Sequence, residues 1–333
     1  MTAAHTVDLS ATDLATVLAP LGQVREAVTL TGGMFAAATL ATLADDTKVV
    51  VKVSGTDVAR LCSYERGIAR TEARTYRELA TRGLPVPEVL LTDFTHSVVP
   101  GDVVVTRHLS GTPWNEADLD EPASSRVKHS LGALMARLHR VPAPAFGYPA
   151  TESGMQAPDW RTAFGAMVEG ILADAARTGT VVPADRIRAA LDAHGPALDG
   201  VADAVFVHND LWPANVFLDD GRAIIGIIDT ERTVWGDPLL DLVGADQMGL
   251  WDIDASLIEG NTSAGGVLAA ELASASGPTR FALYRLYDSL ILVAEIRIRG
   301  YDGAWVDDHL RTAQSLVNAA LAWLEAEGTT LSA

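Results

Sequence analysis

Two short polar segments, each beside an apolar run, limit the fold and the chemistry open to this chain. The first reads His-Asn-Asp-Leu-Trp-Pro-Ala-Asn at residues 208–215 and follows the strand-like run Val-Phe-Val. The second begins at Asp229, directly after the apolar run at residues 223–228. Phosphoryl transfer from ATP needs one carboxylate to orient the attacking hydroxyl, and an Asn and a second Asp to hold magnesium against the phosphates. Asp210, Asn215 and Asp229 supply these groups in that order, which favours a kinase.

Composition limits the partners that such a chain can have. Its 333 residues are enough for one large domain or two lobes with a buried core. Nearly half of them (48%) are apolar, which argues against a disordered chain. The formal net charge of -18 repels nucleic acid and anionic membrane surfaces. It would tolerate or attract a cationic small molecule, and the alternative is that it serves only solubility. We therefore expect a small-molecule substrate, with no nucleic-acid and no membrane partner.

Cysteine content and hydropathy indicate the compartment. Cys62 is the single cysteine, so the chain cannot form an internal disulfide or a multi-cysteine zinc site. The first 19 residues lack the basic start and the continuous apolar run of a signal peptide. No segment approaches the roughly 18 uninterrupted apolar residues that a membrane span requires. These features predict a cytoplasmic protein, and we expect a monomer or a homodimer.

The N-terminal third is predicted to form a small sheet with one long helix. A short helix is expected at residues 8–20, and a second, polar helical pattern covers residues 57–82 and ends at a glycine followed by two prolines. Apolar runs between turn signals predict strands at residues 28–30, 36–43, 49–53, 86–91 and 103–106.

The rest of the chain is predicted to be mainly helical. A loop with glycine and proline at residues 107–114 is the predicted hinge. The expected fold class is α+β and bilobal, with a β-rich, nucleotide-binding lobe at residues 1–107 and a larger, catalytic and acceptor-binding lobe at residues 108–333. Apolar faces at helical spacing predict helices in the second lobe at residues 127–138, 160–175, 186–198, 238–258, 279–299 and 306–326.

Lys52 is conspicuous because it lies in the apolar run Val-Val-Val-Lys-Val at residues 49–53, in a chain where arginine is the usual cation. An ammonium in such a place could reach the α- and β-phosphates of a nucleotide if a carboxylate holds it. Glu65 and Glu72 both lie on the predicted following helix. Glu72 is the better candidate, because 20 residues leave room for a connection and two or three helical turns. The alternative is a strand-edge cation whose amine reaches solvent.

Gly32 and Gly33 occupy the turn after the first predicted strand, where backbone amides could approach phosphates. A tight hairpin without a ligand is the alternative. The chain contains neither Gly-x-x-x-x-Gly-Lys-Ser/Thr nor Gly-x-Gly-x-x-Gly. The absence of both motifs disfavours a P-loop enzyme and a Rossmann dehydrogenase.

Taken in order, these segments resemble the aminoglycoside phosphotransferase family, which shares the protein-kinase-like fold. The resemblance implies ATP or GTP with two Mg²⁺ ions bound between the lobes, and an acceptor pocket formed by the C-terminal helices. The matching pieces span most of the chain and are Gly32-Gly33, Val51-Lys52-Val53, Glu72, residues 132–139, residues 208–215, Ile228-Asp229, Gly236-Asp237-Pro238 and Asp241.

The resemblance also implies a role for each residue that matches a family motif. Asp210 corresponds to the catalytic aspartate. Asn215 and Asp229 correspond to the magnesium ligands. Lys52 corresponds to the phosphate-binding lysine, and Glu72 to its partner.

Further expectations concern the hinge and the catalytic loop. The backbone at residues 106–109, which includes Thr106 and His108, would meet the adenine. Asp241 is expected to turn inward and hold the backbone of the catalytic loop. Both expectations depend on the resemblance and on the order of the motifs.

The chain departs from protein kinases in two places. Protein kinases of the Ser/Thr type usually carry a Lys two residues after the catalytic aspartate, and this position is Trp212. Asp229 is followed by Thr-Glu rather than Phe-Gly, and no Ala-Pro-Glu follows. These departures argue against a protein substrate. The Asp-Leu-Trp sequence that begins at Asp210 is similar to fructosamine kinases of the same wider group.

The sequence identifies the acceptor molecule less precisely than it identifies the reaction. Glu231, two residues after the predicted metal ligand, is expected to face the acceptor, together with Asp210, Trp212 and Asp288. Carboxylates suit an amino sugar, as in an aminoglycoside, or a cationic peptide antibiotic, and aromatic rings suit stacking on a sugar face. Ordinary sugars and amino alcohols stay open, as do antibiotic resistance and sugar metabolism as roles, and the alternative for these side chains is a solvated helix face. A protein kinase and a non-catalytic nucleotide-binding protein are the alternatives.

Overall fold

The N-terminal lobe is built on a five-stranded antiparallel sheet. In the computed structural model, which describes residue 7, residues 9–30 and residues 37–330, the strand order is β1-β2-β3-β5-β4. The predicted glycine turn at Gly32 and Gly33 lies outside the described residues. The strands are β1 (Val24–Leu30), β2 (Ala37–Leu43), β3 (Lys48–Gly55), β4 (Val89–Asp93) and β5 (Gly101–Arg107).

The central strand β3 separates two environments. Val49, Val51 and Val53 are buried in a small apolar core that they share with α1 (Ala11–Leu18). Lys52 points to the opposite face, because successive side chains of a strand alternate. The sheet therefore covers its apolar face with α1 and turns the lysine toward the helix that follows β3.

That helix is shorter than the sequence predicted. A single helix was expected at residues 57–82, whereas α2 spans Ile68–Thr81 and follows two separate 3₁₀ turns at Val58–Arg60 and Ser63–Glu65. Gly67, with φ of 70°, adopts the left-handed conformation that interrupts a right-handed helix. The polar pattern before Gly67 reflects side chains that bind groups in the other lobe, not one face of a continuous helix.

The C-terminal lobe is mainly helical, and α9 runs through its centre. Nearly every residue of α9 is buried, and its charged residues Arg280, Arg285, Asp288 and Glu295 are buried with the apolar ones. Among the described residues the helices of this lobe are α3 (Glu121–Leu138), α4 (Trp160–Thr178), α5 (Ala184–His194), α6 (Leu240–Gly244), α7 (Ala255–Ser263), α8 (Leu268–Ala273), α9 (Gly277–Ile298) and α10 (Val306–Thr330).

The single helix predicted at residues 238–258 is wrong. Two helices, α6 and α7, occupy this stretch, and turns separate them. The Asp254 side chain accepts a hydrogen bond from the backbone nitrogen of Ser256 at 2.9 Å, which begins a new helix at α7. The segment between α6 and α7 is not helical, and it lies beside the catalytic loop described below.

Short strands carry the polar motifs of the C-terminal lobe. They pair in the orders β6-β8-β9 and β10-β7, and they are β6 (Thr112–Pro113), β7 (Val205–Val207), β8 (Val216–Leu218), β9 (Ile224–Ile227) and β10 (Val234–Gly236). The predicted α+β fold class, with a β-rich first lobe and a helical second lobe, is confirmed. The division at residue 107 stays a prediction. Within the described residues, none of the helices combines the length and apolar character needed to cross a bilayer.

Candidate active site

Lys52 connects the two lobes by contacting three carboxylates. Its Nζ lies 3.1 Å from Glu72 Oε1 on α2, 2.9 Å from Asp229 Oδ1 and 2.6 Å from Glu231 Oε2. The side chain of Lys52 is 16% exposed and that of Glu72 is 3% exposed, whereas Asp229 is 34% exposed and reaches toward the cleft. The fold thus brings the predicted phosphate lysine, its predicted partner and a predicted metal ligand to one point.

Glu231 lies elsewhere than the sequence suggested. It was expected to face the acceptor, but it contacts Lys52 instead. The cause is local: Asp229 has a left-handed φ of 58°, and the single 3₁₀ turn Thr230–Arg232 follows it directly. This turn of the backbone places the Glu231 carboxylate beside that of Asp229, and both contact the Lys52 amine.

Tyr76 links the Glu72 carboxylate to the backbone of Asp229. Its hydroxyl donates to Glu72 Oε1 at 3.1 Å and accepts a hydrogen bond from the backbone nitrogen of Asp229 at 2.9 Å. Tyr76 belongs to no motif, but it lies four residues after Glu72, on the same face of α2. That spacing is the signal in the sequence that could have identified it.

The cluster carries more negative than positive charge. Ligand atoms of Glu72, Asp229 and Glu231 all lie within 4.8 Å of one another around a single ammonium. Burial raises the pKa of Glu72 to about 7, although Lys52 acts in the opposite direction. Burial disfavours the charge on Lys52, but the three carboxylates outweigh it and raise the lysine pKa. A set of clustered carboxylate oxygens fits a hard divalent cation such as Mg²⁺.

Asp210 lies in the loop after β7, and both of its carboxylate oxygens accept amide hydrogen bonds. Asn215 Nδ2 donates to Asp210 Oδ2 and to the Asp210 carbonyl oxygen, each at 2.9 Å. Gln247 Nε2 donates to Oδ1. Burial raises the pKa of Asp210 to about 6, while Arg232 lowers it and Asp229 raises it. The two amides hold the carboxylate in one orientation.

Backbone contacts bring the Asn215 and Asp229 segments together. The nitrogen of Ile228 donates to the carbonyl oxygen of Asn215 at 2.9 Å, and His208 Nε2 lies 3.0 Å from the Ile228 carbonyl oxygen. Because Asn215 turns its amide nitrogen toward Asp210, its side-chain oxygen is the group that can meet a cation. Asn215 and Asp229 therefore suit the magnesium roles implied by the resemblance.

Asp241 holds the backbone of the loop that carries Asp210. Its Oδ1 accepts from the nitrogen of Asn209 at 2.8 Å, and its Oδ2 lies 2.8 Å from His139 Nε2. Asn209 has a left-handed φ of 61°, so this contact supports an uncommon backbone conformation. The prediction that Asp241 binds the loop backbone is confirmed.

The residues predicted to meet adenine lie where the sheet joins the second lobe. Thr106 pairs with Val50 on one side and Val89 on the other. The backbone nitrogen of His108 donates to the Lys48 carbonyl oxygen at 3.1 Å. This stretch follows the edge of the site, and its contact with adenine stays a prediction.

Asp288 and Trp212 are the other two residues expected to face the acceptor. Asp288, on α9, is 2% exposed, and neither carboxylate oxygen has a hydrogen-bond partner among the described residues. Burial raises its pKa to about 7, against the charges of Arg232 and Arg285 and with those of Asp210 and Glu295. Trp212 is 40% exposed, so its ring is open to solvent. An unpartnered buried carboxylate and an exposed ring are groups that an acceptor could bind.

Asp288→Asn is expected to stabilise the protein at alkaline pH. The folded-state pKa of about 7 lies above the ordinary value for Asp, so the folded protein keeps a proton that the unfolded chain releases between about pH 4 and pH 7. The wild type therefore loses stability as the pH rises through this window, by up to about 4 kcal/mol. The side-chain amide of the Asp288→Asn variant does not titrate, so it causes no loss of stability in this pH window.

Urea unfolding of both proteins at pH 5 and pH 8 tests this expectation. The stability difference should grow in favour of Asp288→Asn at pH 8. Asp220→Asn, an exposed change in the β8–β9 turn, serves as the control and should show no such trend. An equal difference at both pH values would contradict the raised pKa.

The fold matches solved structures of small-molecule phosphotransferases. An aminoglycoside phosphotransferase in a ternary complex with AMP-PNP and hygromycin B is 19% identical, with a TM-score of 0.63 over 92% of this chain and 97% of that one. A macrolide 2'-phosphotransferase from Brachybacterium faecium is 22% identical, with a TM-score of 0.57 over 92% and 97%. A protein from Thermobifida fusca described as a candidate fructosamine-3-kinase is 20% identical, with a TM-score of 0.64 over 91% and 98%. At these identities the likeness confirms the predicted fold.

A curated relative matches part of the chain. Acyl-CoA dehydrogenase family member 11 of Gallus gallus is 26% identical over 195 residues, which are 56% of this chain and 24% of that protein. The chain thus spans about a quarter of the length of this relative.

The phosphotransferase enzyme family has a model that matches residues 39–284. This range contains Lys52 and Glu72 from the first lobe, and Asp210 and Asp229 from the second. The match confirms the expected enzyme class. The chain belongs to the phosphotransferase enzyme family.

Proposed function

We propose that this protein is an ATP- or GTP-dependent kinase that phosphorylates a hydroxyl group of a small molecule. The observation that carries the proposal is the meeting of Lys52 with Asp229 at 2.9 Å, across 177 positions of sequence, while Glu72 holds the same amine at 3.1 Å. An amine and a carboxylate placed together at a cleft are what a magnesium nucleotide requires.

Each residue has a distinct task in the proposed reaction. Lys52 binds the α- and β-phosphates, and Glu72 keeps its amine in place. Asn215 and Asp229 would hold Mg²⁺, which neutralises charge on the phosphates. The hinge backbone from Thr106 to Leu109 would bind the base.

Asp210 orients the acceptor. As a carboxylate it accepts a hydrogen bond from the acceptor hydroxyl and aligns that oxygen with the γ-phosphorus. Asn215 and Gln247 restrict the rotation of the carboxylate. Each carboxylate oxygen already accepts one amide hydrogen bond, so the acceptor hydroxyl would donate to a second lone pair of one of them.

The proposed acceptor is an amino sugar, a sugar or an aminoglycoside-type antibiotic. The unpartnered carboxylate of Asp288 suits an amine or hydroxyl, and the exposed ring of Trp212 suits the face of a sugar. Solved structures of similar fold include an aminoglycoside phosphotransferase with bound hygromycin B, a macrolide 2'-phosphotransferase and a candidate fructosamine-3-kinase. Antibiotic resistance is one proposed role, and sugar metabolism is the other. We propose a cytoplasmic monomer or homodimer.

An acceptor screen tests the proposal. Purified protein with ATP or GTP and Mg²⁺ is incubated with aminoglycosides, macrolides, hexosamines, ketosamines and amino alcohols, and phosphate transfer is followed with γ-labelled nucleotide. We expect acceptor-dependent transfer to at least one small molecule. Transfer to casein alone would indicate a protein kinase. Nucleotide binding without transfer to any acceptor would indicate a non-catalytic protein.

A further inference from the structure

The segment between β3 and α2, residues 56–67, is fastened to the C-terminal lobe although it leads into the helix that carries Glu72. Leu61, Cys62 and Tyr64 are 5%, 0% and 2% exposed and belong to the larger apolar core of the second lobe. The ring of Tyr64 stacks on Tyr148 with centroids 5.3 Å apart. The start of α2 is therefore anchored outside the sheet.

Polar contacts with α4 reinforce this anchor. Asp174, 3% exposed, accepts from the backbone nitrogen of Ser63 at 2.5 Å and from its Oγ at 2.9 Å. Arg177, one helical turn later, donates to the carbonyl oxygens of Ala59 and Leu61 at 2.7 and 2.8 Å. These bonds restrain the segment on its side facing α4.

A buried chain of alternating charges continues from this segment toward the lysine cluster. Glu65 pairs with Arg299, Arg299 lies 3.0 Å from Glu295, and Glu295 lies 2.8 Å from Arg232. The side chains are 0% to 9% exposed. Arg232 is three residues after Asp229, so the chain joins the lead-in of α2 to the turn that carries the predicted metal ligand.

Glu72 lies seven residues after Glu65 and about one helical turn after the start of α2. On the opposite side, Ala69 and Ala73 of α2 pack on Val104 of β5. Helix α2 therefore packs on the sheet through Ala69 and Ala73, and its lead-in is fixed by the buried charge chain through Glu65. A shift of either end would move Glu72 relative to Lys52.

We propose that Glu65 and Arg299 are positioning residues that keep Glu72 against Lys52 and so set the affinity for a magnesium nucleotide. The inference rests on the proposed function, because it gives the Lys52 and Glu72 pair a role in nucleotide binding. Neither Glu65 nor Arg299 touches the nucleotide. They act through α2 at one end and through Arg232 at the other.

Paired variants test this role without leaving a buried charge unpaired. Arg299→Met alone would strand Glu65 in an apolar core, and such losses destabilise strongly. Glu65→Met combined with Arg299→Met removes both charges, while Glu295 keeps its partner Arg232. Asp237→Asn combined with Arg280→Met is the matched control, because that pair is equally buried but lies within the second lobe.

The measurement is the dissociation constant of Mg²⁺–AMP-PNP by calorimetry, at a temperature where circular dichroism shows every variant folded. We expect the Glu65 and Arg299 double variant to bind about tenfold more weakly, and the control pair to bind within about twofold of wild type. Unchanged affinity in the double variant would overturn the inference.

A Glu72→Gln background separates positioning from general loosening of the fold. If Glu65 and Arg299 act through Glu72, adding their change to Glu72→Gln should weaken binding by less than about twofold, because coupled residues are not additive. A full additional tenfold loss would overturn the inference. A wild-type chain that binds no nucleotide would overturn the proposed function itself, which is a different result from tight wild-type binding with no effect of the pair.

Discussion

The Asp210→Asn variant should lose about two to four orders of magnitude in turnover while it still binds nucleotide. Asn has nearly the same shape, and its side-chain oxygen can still accept from Asn215, while Gln247 must turn its own amide oxygen toward the new NH2 group. It cannot accept the hydrogen bond of the acceptor hydroxyl as a carboxylate does, and it leaves no charge to receive the proton. The loss should therefore appear in kcat, measured with the best acceptor of the screen.

Nucleotide binding distinguishes this effect from unfolding. The dissociation constant of Mg²⁺–AMP-PNP should change by less than about threefold in Asp210→Asn, because the proposed partner of Asp210 is the acceptor and not the phosphates. Asp220→Asn, exposed in the β8–β9 turn, should keep wild-type turnover. Equal turnover in Asp210→Asn would remove Asp210 from the reaction and direct attention to Asp288.

The contacts that depend on one strand or one turn could be predicted from the sequence. Lys52 is marked by its apolar neighbours in β3, and the spacing to Glu72 follows from one connection and a few helical turns. Asn215 and Asp229 lie at adjacent ends of the paired strands β8 and β9, and Asp210 lies in the loop that leads from β7 to β8. For these residues local pattern and final position agree, because the segments that hold them are short and regular.

The contacts that join distant elements left no comparable pattern. Gln247 binds Asp210 from the irregular stretch between α6 and α7, which the sequence presented as one helix. Glu65 meets Arg299 from a segment that also looked helical. Polar side chains at helical spacing resemble a solvated face whether they meet water or a buried partner. Tertiary pairing decides between these cases, and a single sequence does not contain it.

Asp229→Ala should abolish most of the magnesium dependence of nucleotide binding. Removing groups that merely orient a metal ligand costs about 10–100-fold in metal affinity, so loss of the ligand itself should weaken Mg²⁺–AMP-PNP binding about 100-fold or more. Lys52 keeps Glu72 at 3.1 Å and Glu231 at 2.6 Å, so the cluster retains its amine. Titration of nucleotide at several Mg²⁺ concentrations measures the effect.

Glu231→Gln is the comparison that makes the assignment specific. Glu231 is 7% exposed and faces the amine at 2.6 Å, whereas Asp229 is 34% exposed and reaches the cleft. Asp229, the more exposed carboxylate, can bind the magnesium of a nucleotide without moving. Glu231→Gln should therefore weaken nucleotide binding by less than about tenfold. A larger loss in Glu231→Gln than in Asp229→Ala would transfer the metal role to Glu231. Identical magnesium dependence in both variants and the wild type would show that the cation is held elsewhere.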